Sequence, residues 1–132
     1  MRFALALVLT VVAVAPLRAE SDDRIERFSR ALSEAKTNLQ TPEGHEYDRS
    51  LSAFLRRQNA VVLGGCFKSV ESPDKNAFEM VFQIATGGEV RDARVWPETN
   101  LGVCLRDGLK VLKFPAPPRD AYWATSRVSL AP

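Results

Sequence analysis

Two cysteines, Cys66 and Cys104, constrain the fold of this 132-residue chain more than any other feature. With only two, a disulfide has a single connectivity. A disulfide that closes a loop of about 40 residues restricts the unfolded chain, and it would thereby contribute roughly 4 kcal/mol to the free energy of unfolding. Two buried thiols or a metal pair are the alternatives. The metal alternative is weak, because His45 is the only histidine and no C-x-x-C or H-x-x-x-H spacing is present.

The N-terminus has the pattern of an export signal. Arg2 supplies a positive charge, residues 3–15 form an apolar run, and Pro16 ends that run. Such a run suits the core of a signal peptide and is too short to cross a hydrocarbon layer about 30 Å thick. With Ala19 as the small residue before the cut, residues 1–19 are predicted to be a signal peptide. An uncleaved anchor helix is the alternative.

A signal of this bacterial style predicts a periplasmic or secreted protein. Export into an oxidising compartment favours a structural disulfide between Cys66 and Cys104. No second apolar run of spanning length follows the signal, so no membrane span is expected after cleavage. Of the 18 basic residues, Arg2 and Arg18 lie in the signal, so the chain from Glu20 onward has as many basic as acidic residues. No basic patch remains that would favour binding to nucleic acid.

Helical patterns come first in the mature chain. Residues 22–39 repeat apolar side chains at spacings of three and four, which predicts an amphipathic helix that docks on a core or forms a coiled-coil seam. A second helix is predicted over residues 47–58, although Thr41 could equally cap a new helix. Residues 60–70 are ambiguous, because they suit a short strand as well as a continuation of the helix through two glycines.

Strand patterns dominate the second half. Residues 77–86 alternate between apolar and polar side chains, which predicts a half-buried antiparallel strand. The elements predicted after it are a turn at Gly87-Gly88, a return strand over 89–96, a third helix capped by Thr99 or Asn100 and reaching Leu112, and a last strand over 122–130. The third helix carries Cys104 on its apolar face, which fits a buried disulfide.

The order of these features resembles the TonB C-terminal-like domains. Cys66, the strand and Gly turn of residues 78–95, Cys104 and the Phe-Pro-Ala-Pro segment 114–117 follow one another as they do in the two-cysteine branch of that family. This branch is typified by C-terminal domains of gliding-motility proteins of the AgmX/PglI type. The resemblance covers residues 48–130, and it is carried by the order and spacing of short motifs.

The resemblance implies an α+β fold of order α-α-β-β-α-β, with helices packed on a three-stranded, mainly antiparallel sheet. It also implies that residues 60–69 extend the second helix. Residues 20–40 then form an N-terminal amphipathic helix, and residues 41–132 form the TonB-like domain. TonB energy transducers also have a membrane helix and a long Pro-rich spacer. The chain has neither, so the usual coupling to an inner-membrane motor is not expected, and the resemblance supports the fold more than the function.

No enzyme site is recognisable, and no cofactor or metal is predicted. A hydrolase would need a nucleophile with an oriented base, yet His45 is the only histidine and is expected to lie in a Gly-containing turn region. The acids form no dyad, and neither Gly pair has the G-x-x-x-x-G-K pattern of a phosphate loop. The sequence therefore predicts a non-catalytic protein.

The predicted function is that of an exported module that binds a protein or peptide, with the partner and the oligomeric state left open. The alternative is a small secreted inhibitor or immunity-type protein that blocks a periplasmic enzyme with a loop such as 71–76 or 87–89. An enzyme or small-ligand carrier is a weaker third candidate.

For the first function, a partner strand is expected to add at the last strand. There Trp123, Thr125, Arg127 and Ser129 are the outward alternates, the first three are the predicted partner-binding residues, and Trp123 supplies the main contact. Two alternatives stay open: this strand is central, or its edge is covered by residues 22–39.

Overall fold

The computed structural model describes residues 8–13 and 17–130, and within them it confirms an α+β fold of order α-α-β-β-α-β. The elements are α1 (Leu17–Leu39), α2 (Pro42–Ser69), β1 (Phe78–Ile84), β2 (Val90–Trp96), α3 (Asn100–Leu109) and β3 (Tyr122–Val128). The strands form one antiparallel sheet of order β2-β1-β3, so β1 is central and the other two strands are its edges.

Part of the predicted signal core is described. Residues 8–13 have no regular secondary structure and are exposed, including Val8, Leu9, Val11 and Val12. The rest of the apolar run and Pro16 lie outside the described residues. α1 begins before the predicted mature start at Glu20 and includes the predicted cleavage position. Among the described residues, no helix combines the length and the apolar character that crossing a membrane requires.

The central strand has two buried faces because its side chains alternate between two helical layers. Phe78, Met80, Phe82 and Ile84 are fully buried in the larger core, which α2 and α3 cover. On the opposite face, Val81 is fully buried beneath α1. The sheet is therefore the middle layer of three, with α1 on one side and the other two helices on the second side. The sequence pattern of β1 predicted only the first of these faces as buried.

The predicted bounds of the second helix were wrong at both ends. α2 begins at Pro42 because Thr41 caps it, its hydroxyl accepting a hydrogen bond of 3.0 Å from the Gly44 amide. The helix then continues through the ambiguous segment to Ser69, as the family resemblance implied. Its later turns are supported by tertiary contacts, since Cys66 is buried and Val62 packs on the core. These contacts offset the low helix propensity of the glycines.

Gly64 and Gly65 lie on the exposed side of α2, where an added Cβ would meet no other atom within 4 Å. Replacing either glycine with alanine is expected to raise the free energy of unfolding by about 0.5–1 kcal/mol, because alanine loses less backbone entropy in a helix. Denaturant titration of the two single variants measures the effect. A loss of stability in both variants would show that this side of α2 is packed in the native protein.

The two cysteines join α2 to α3, as predicted. Cys66 and Cys104 form a disulfide with Cα atoms 5.9 Å apart. Their helices also pack on one another at Gly108, whose Cβ position is occupied by the side chain of Val62. The bond therefore fastens the two helices that cover the larger core.

The hairpin between β1 and β2 turns at Gly88, which has a φ of +94°. The Gly88 amide donates to the Ala85 carbonyl oxygen at 2.8 Å, and the Gly88 carbonyl accepts from the Phe114 amide at 2.9 Å. The turn thus holds the start of the Pro-rich connector against the sheet. Two later elements are slightly shorter than predicted: α3 ends at Leu109 instead of Leu112, and β3 ends at Val128 instead of Leu130.

Candidate functional site

Trp123, the predicted main contact for a partner, does not project outward. It is 8% exposed and lies beneath α1 with Phe28, Ala31 and Ala35. The prediction that Trp123 is an exposed hot-spot residue is therefore wrong. The sequence showed alternation along β3, but it did not show that α1 covers the second face of the sheet, and burial against that helix explains the tryptophan.

Within the described part of the chain, no further strand of the sheet pairs with β3, but the first part of its outer edge is covered by other residues. The Asn38 side-chain amide donates to the Trp123 carbonyl oxygen at 2.9 Å, and Asn38 is itself bonded to Arg119. On the other face, Tyr47 of α2 packs edge-on against Tyr122, with ring centroids 5.2 Å apart. Because α1 and α2 lie on opposite faces, their short connection passes around this edge. Coverage by residues 22–39, one of the alternatives left open, is thus observed for the first part of β3.

Thr125 and Arg127, the other two predicted partner residues, lie in different environments. The Thr125 hydroxyl donates to the Met80 carbonyl oxygen at 3.0 Å and lies 3.1 Å from the Glu79 carboxylate, so it is used within the sheet. Arg127 is exposed. The structure therefore does not bring Trp123, Thr125 and Arg127 together as one contact surface, and the only open backbone of β3 lies in its second half.

β2 forms the other edge of the sheet, and the direction of its backbone groups follows from its hairpin with β1. The Ala85 amide donates to the Glu89 carbonyl oxygen at 2.8 Å, so the odd-numbered residues of β1 turn their backbone groups toward β2. In the observed register, these residues pair with Trp96, Arg94 and Asp92. Successive residues of a strand alternate, so Ala93 and Val95 point their amide and carbonyl groups away from the sheet.

A cleft of about 270 Å³ lies beside this edge. Val95 lines the cleft although it is only 3% exposed. Its side chain is in the core, so the part of Val95 that faces the cleft is its backbone. The other lining residues come from α1, β2, α3 and the connection before α3: Arg24, Arg27, Phe28, Asp92, Arg94, Glu98 and Arg106. The edge of β2 thus forms the floor of a groove between α1 and α3.

Charged side chains dominate this groove. Arg24 of α1 bridges to Glu98 at 3.4 Å across one end of the groove. Arg94 is held in a fixed orientation, because two of its nitrogens donate to the Asp92 carboxylate at 3.1 and 2.6 Å and its guanidinium lies 5.4 Å from the ring centre of Trp123. The groove therefore offers both free backbone groups and oriented guanidinium groups.

Two of the arginines that line the groove, Arg27 and Arg106, are paired with acids outside it. Arg27 is bonded to Asp23 at 2.6 Å, the i, i+4 pair that the sequence of α1 favours. Arg106 is bonded to Asp107 at 3.0 Å. Partial burial raises the pKa of Asp107, but hydrogen bonds from Arg106 and from Lys110 outweigh it and lower the pKa. Asp107 is therefore ionised at neutral pH.

The beginning of β2 is held by an ion pair that lies outside the groove. Arg91 donates to the Asp120 carboxylate at 2.8 Å, and the same carboxylate accepts from the Thr86 amide at 3.0 Å. The hydrogen bond from the Thr86 backbone, followed by that from Arg91, lowers the pKa of Asp120 to about 2. This ion pair therefore persists from neutral to mildly acidic pH, and Arg91 is engaged outside the groove.

The loops suggested for an inhibitor are held against the domain. In the 71–76 loop, Asn100 donates to the carbonyl oxygens of Glu71 and Ser72 at 3.2 and 3.1 Å, and its side-chain oxygen accepts from the Asp74 amide. The 87–89 loop is held by the bond from Phe114 to Gly88. These contacts give no specific support to the inhibitor alternative.

The described part of the chain has no group of three or more His, Cys, Asp or Glu side chains arranged to hold a metal ion. His45 is exposed in the first turn of α2, not in a turn region.

Sequence reasoning missed the β2 edge as a candidate site. Arginines at Arg24 and Arg27 on α1, and at Arg94 within a strand, were visible in the sequence, but the sheet order that brings them together was not. Comparison of the chain with family models, with curated proteins and with solved structures finds no match.

Proposed function

We propose that this chain is an exported, non-catalytic module that binds a partner protein by taking up an extended segment as a fourth strand along β2. The observation that carries the proposal is the direction of the Ala93 and Val95 backbone groups, which point away from the sheet and have no hydrogen-bond partner among the described residues, with Val95 lining the cleft. Unpaired edges of this kind accept an added strand through main-chain hydrogen bonds.

Export is part of the proposal. The exposed apolar residues 8–12 lie outside both hydrophobic cores, which fits a signal core that is not part of the folded domain. The disulfide fits an oxidising compartment. Kinship with the TonB C-terminal-like domains is also proposed, and it is supported by the order of the elements and by the cysteine pair that joins the second and third helices.

The proposed edge predicts a specific effect of Ala93→Pro. Proline removes the outward amide of Ala93 and leaves the ladder to β1 unchanged, so binding of a linear peptide selected from a displayed random library should weaken about tenfold or more. Fluorescence anisotropy with the labelled peptide measures this change. Thr125→Pro is the matched control, because it removes an outward amide from the opposite edge, and its binding should stay close to that of the unchanged protein.

Amide hydrogen exchange gives a second measurement that does not depend on how the variants fold. On peptide binding to the unchanged protein, the amides of Ala93 and Val95 should become protected, while those of Thr125 and Arg127 should not. Protection at the β3 amides instead, or equal binding by the two proline variants, would contradict the proposed edge. Thermal unfolding of each variant shows whether its fold is retained.

A further inference from the structure

The charge of the groove along β2 indicates the charge of the segment that binds there. Four arginines line it, Arg24, Arg27, Arg94 and Arg106, and they come from three different elements. Only two acids line it, Asp92 and Glu98. The lining residues therefore have an excess of two positive charges, and the two acids that pair with Arg27 and Arg106, Asp23 and Asp107, lie outside the lining.

The ion pairs of Arg24 and Arg27 leave most of the guanidinium donors of these two arginines available. The Arg24–Glu98 pair has a single contact of 3.4 Å with the arginine side chain 60% exposed, and the Arg27–Asp23 pair is also exposed on both sides. Exposed pairs of this kind contribute little to stability, and each guanidinium has five N–H donors. An incoming carboxylate can therefore bind these arginines without a large cost from the pairs that it replaces.

Arginines lie on both faces that an added strand would present. Side chains of such a strand alternate between the face toward α1 and the face toward α3. On the first face they meet Arg24 and Arg27 of α1, whereas the guanidinium of Arg94 is directed across the sheet to Trp123 of β3. On the second face they meet Arg106 of α3. The first face therefore has two of these three arginines.

We propose that the segment bound along β2 is acidic, with carboxylates at alternate positions that face α1. This inference rests on the proposed function, since it concerns the partner of the same edge. The occupant is an extended acidic stretch of another protein, because only an extended chain uses the backbone groups of Ala93 and Val95 together with the arginines.

Synthetic alternating peptides test this proposal. A Glu-Val repeat should bind the unchanged protein about tenfold more tightly than a Gln-Val repeat of the same length, and a Lys-Val repeat should bind more weakly than either. The preference for glutamate should fall as salt rises, because the side chains of Arg24 and Arg27 are solvent-exposed. Anisotropy of labelled peptides at low and high salt measures both effects.

The matched variants separate local charge from total charge. In Arg24→Gln/Arg27→Gln the ratio of Glu-Val to Gln-Val affinity should fall to about one, whereas in Arg56→Gln/Arg57→Gln it should be retained. The second pair is exposed on α2 and changes the net charge equally. A retained ratio in the first double variant, or a lost ratio in the second, would overturn the proposal.

The outcomes also separate the two levels of inference. Equal affinity for the Glu-Val and Gln-Val repeats, with Ala93 and Val95 still protected from exchange, would overturn the acidic partner and leave the edge in place. Binding of neither repeat, together with no protection at these two amides, would overturn both the acidic partner and the proposed function.

Discussion

Replacing both Cys66 and Cys104 with alanine is expected to lower the free energy of unfolding by roughly 2–5 kcal/mol. The bond closes a long loop and joins α2 to α3, so its loss releases the unfolded chain and loosens the two helices that cover the larger core. For a domain of this size such a loss is a large part of the total stability. Urea unfolding monitored by tryptophan fluorescence measures it.

The control for the double variant is the unchanged protein in its reduced form. Reduction removes the same bond without changing packing volume, so the reduced protein should lose a similar amount of stability and the two transitions should nearly coincide. A change below about 1 kcal/mol in both cases would show that the bond contributes little beyond the core contacts around it.

Gly88→Ala is expected to lower the free energy of unfolding by roughly 2–4 kcal/mol. A residue other than glycine is strained at a φ of +94°, and the new Cβ would overlap the carbonyl oxygen of Phe114. The overlap involves two backbone segments that are hydrogen-bonded to each other, so neither can move without losing the bond from the Phe114 amide. Thermal and denaturant unfolding measure the loss.

The adjacent Gly87→Ala is the matched control for this turn. Its Cβ would meet only the carboxylate of Glu89, at 2.6 Å, and that group is the free end of a flexible side chain. The expected change is therefore within about 0.5 kcal/mol. Equal effects of the two substitutions would contradict the assignment of the strain to Gly88.

Several features of the fold could be predicted because they depend on neighbouring residues. The alternation along β1 determines which of its side chains enter the larger core, and the caps at Thr41 and Thr99 use side-chain oxygens within one turn of the helix. The disulfide was predictable because only two cysteines are present. The extent of α2 was not predictable from propensity, since its glycine-containing turns are helical through contacts with α3.

The candidate site depends on contacts between residues that are far apart in the chain. The residues next to Trp123 in the sequence do not show that α1 buries it, or that the Asn38 side chain donates a hydrogen bond to its carbonyl oxygen. Equally, the bond between Arg24 and Glu98 exists only because α1 crosses the sheet toward β2.

The sequence by itself determined the order of the helices and strands, the side chains of β1 that enter the larger core and the cysteine pair, because these follow from side-chain spacing and chain composition. Only the tertiary structure decided which sheet edge is covered and which is open. The reason is that α1 and α2 lie on opposite faces and their short connection must pass around one edge, which is β3. The backbone groups of Ala93 and Val95 in β2 thereby point away from the sheet, and those of Val95 lie at a groove lined by arginines.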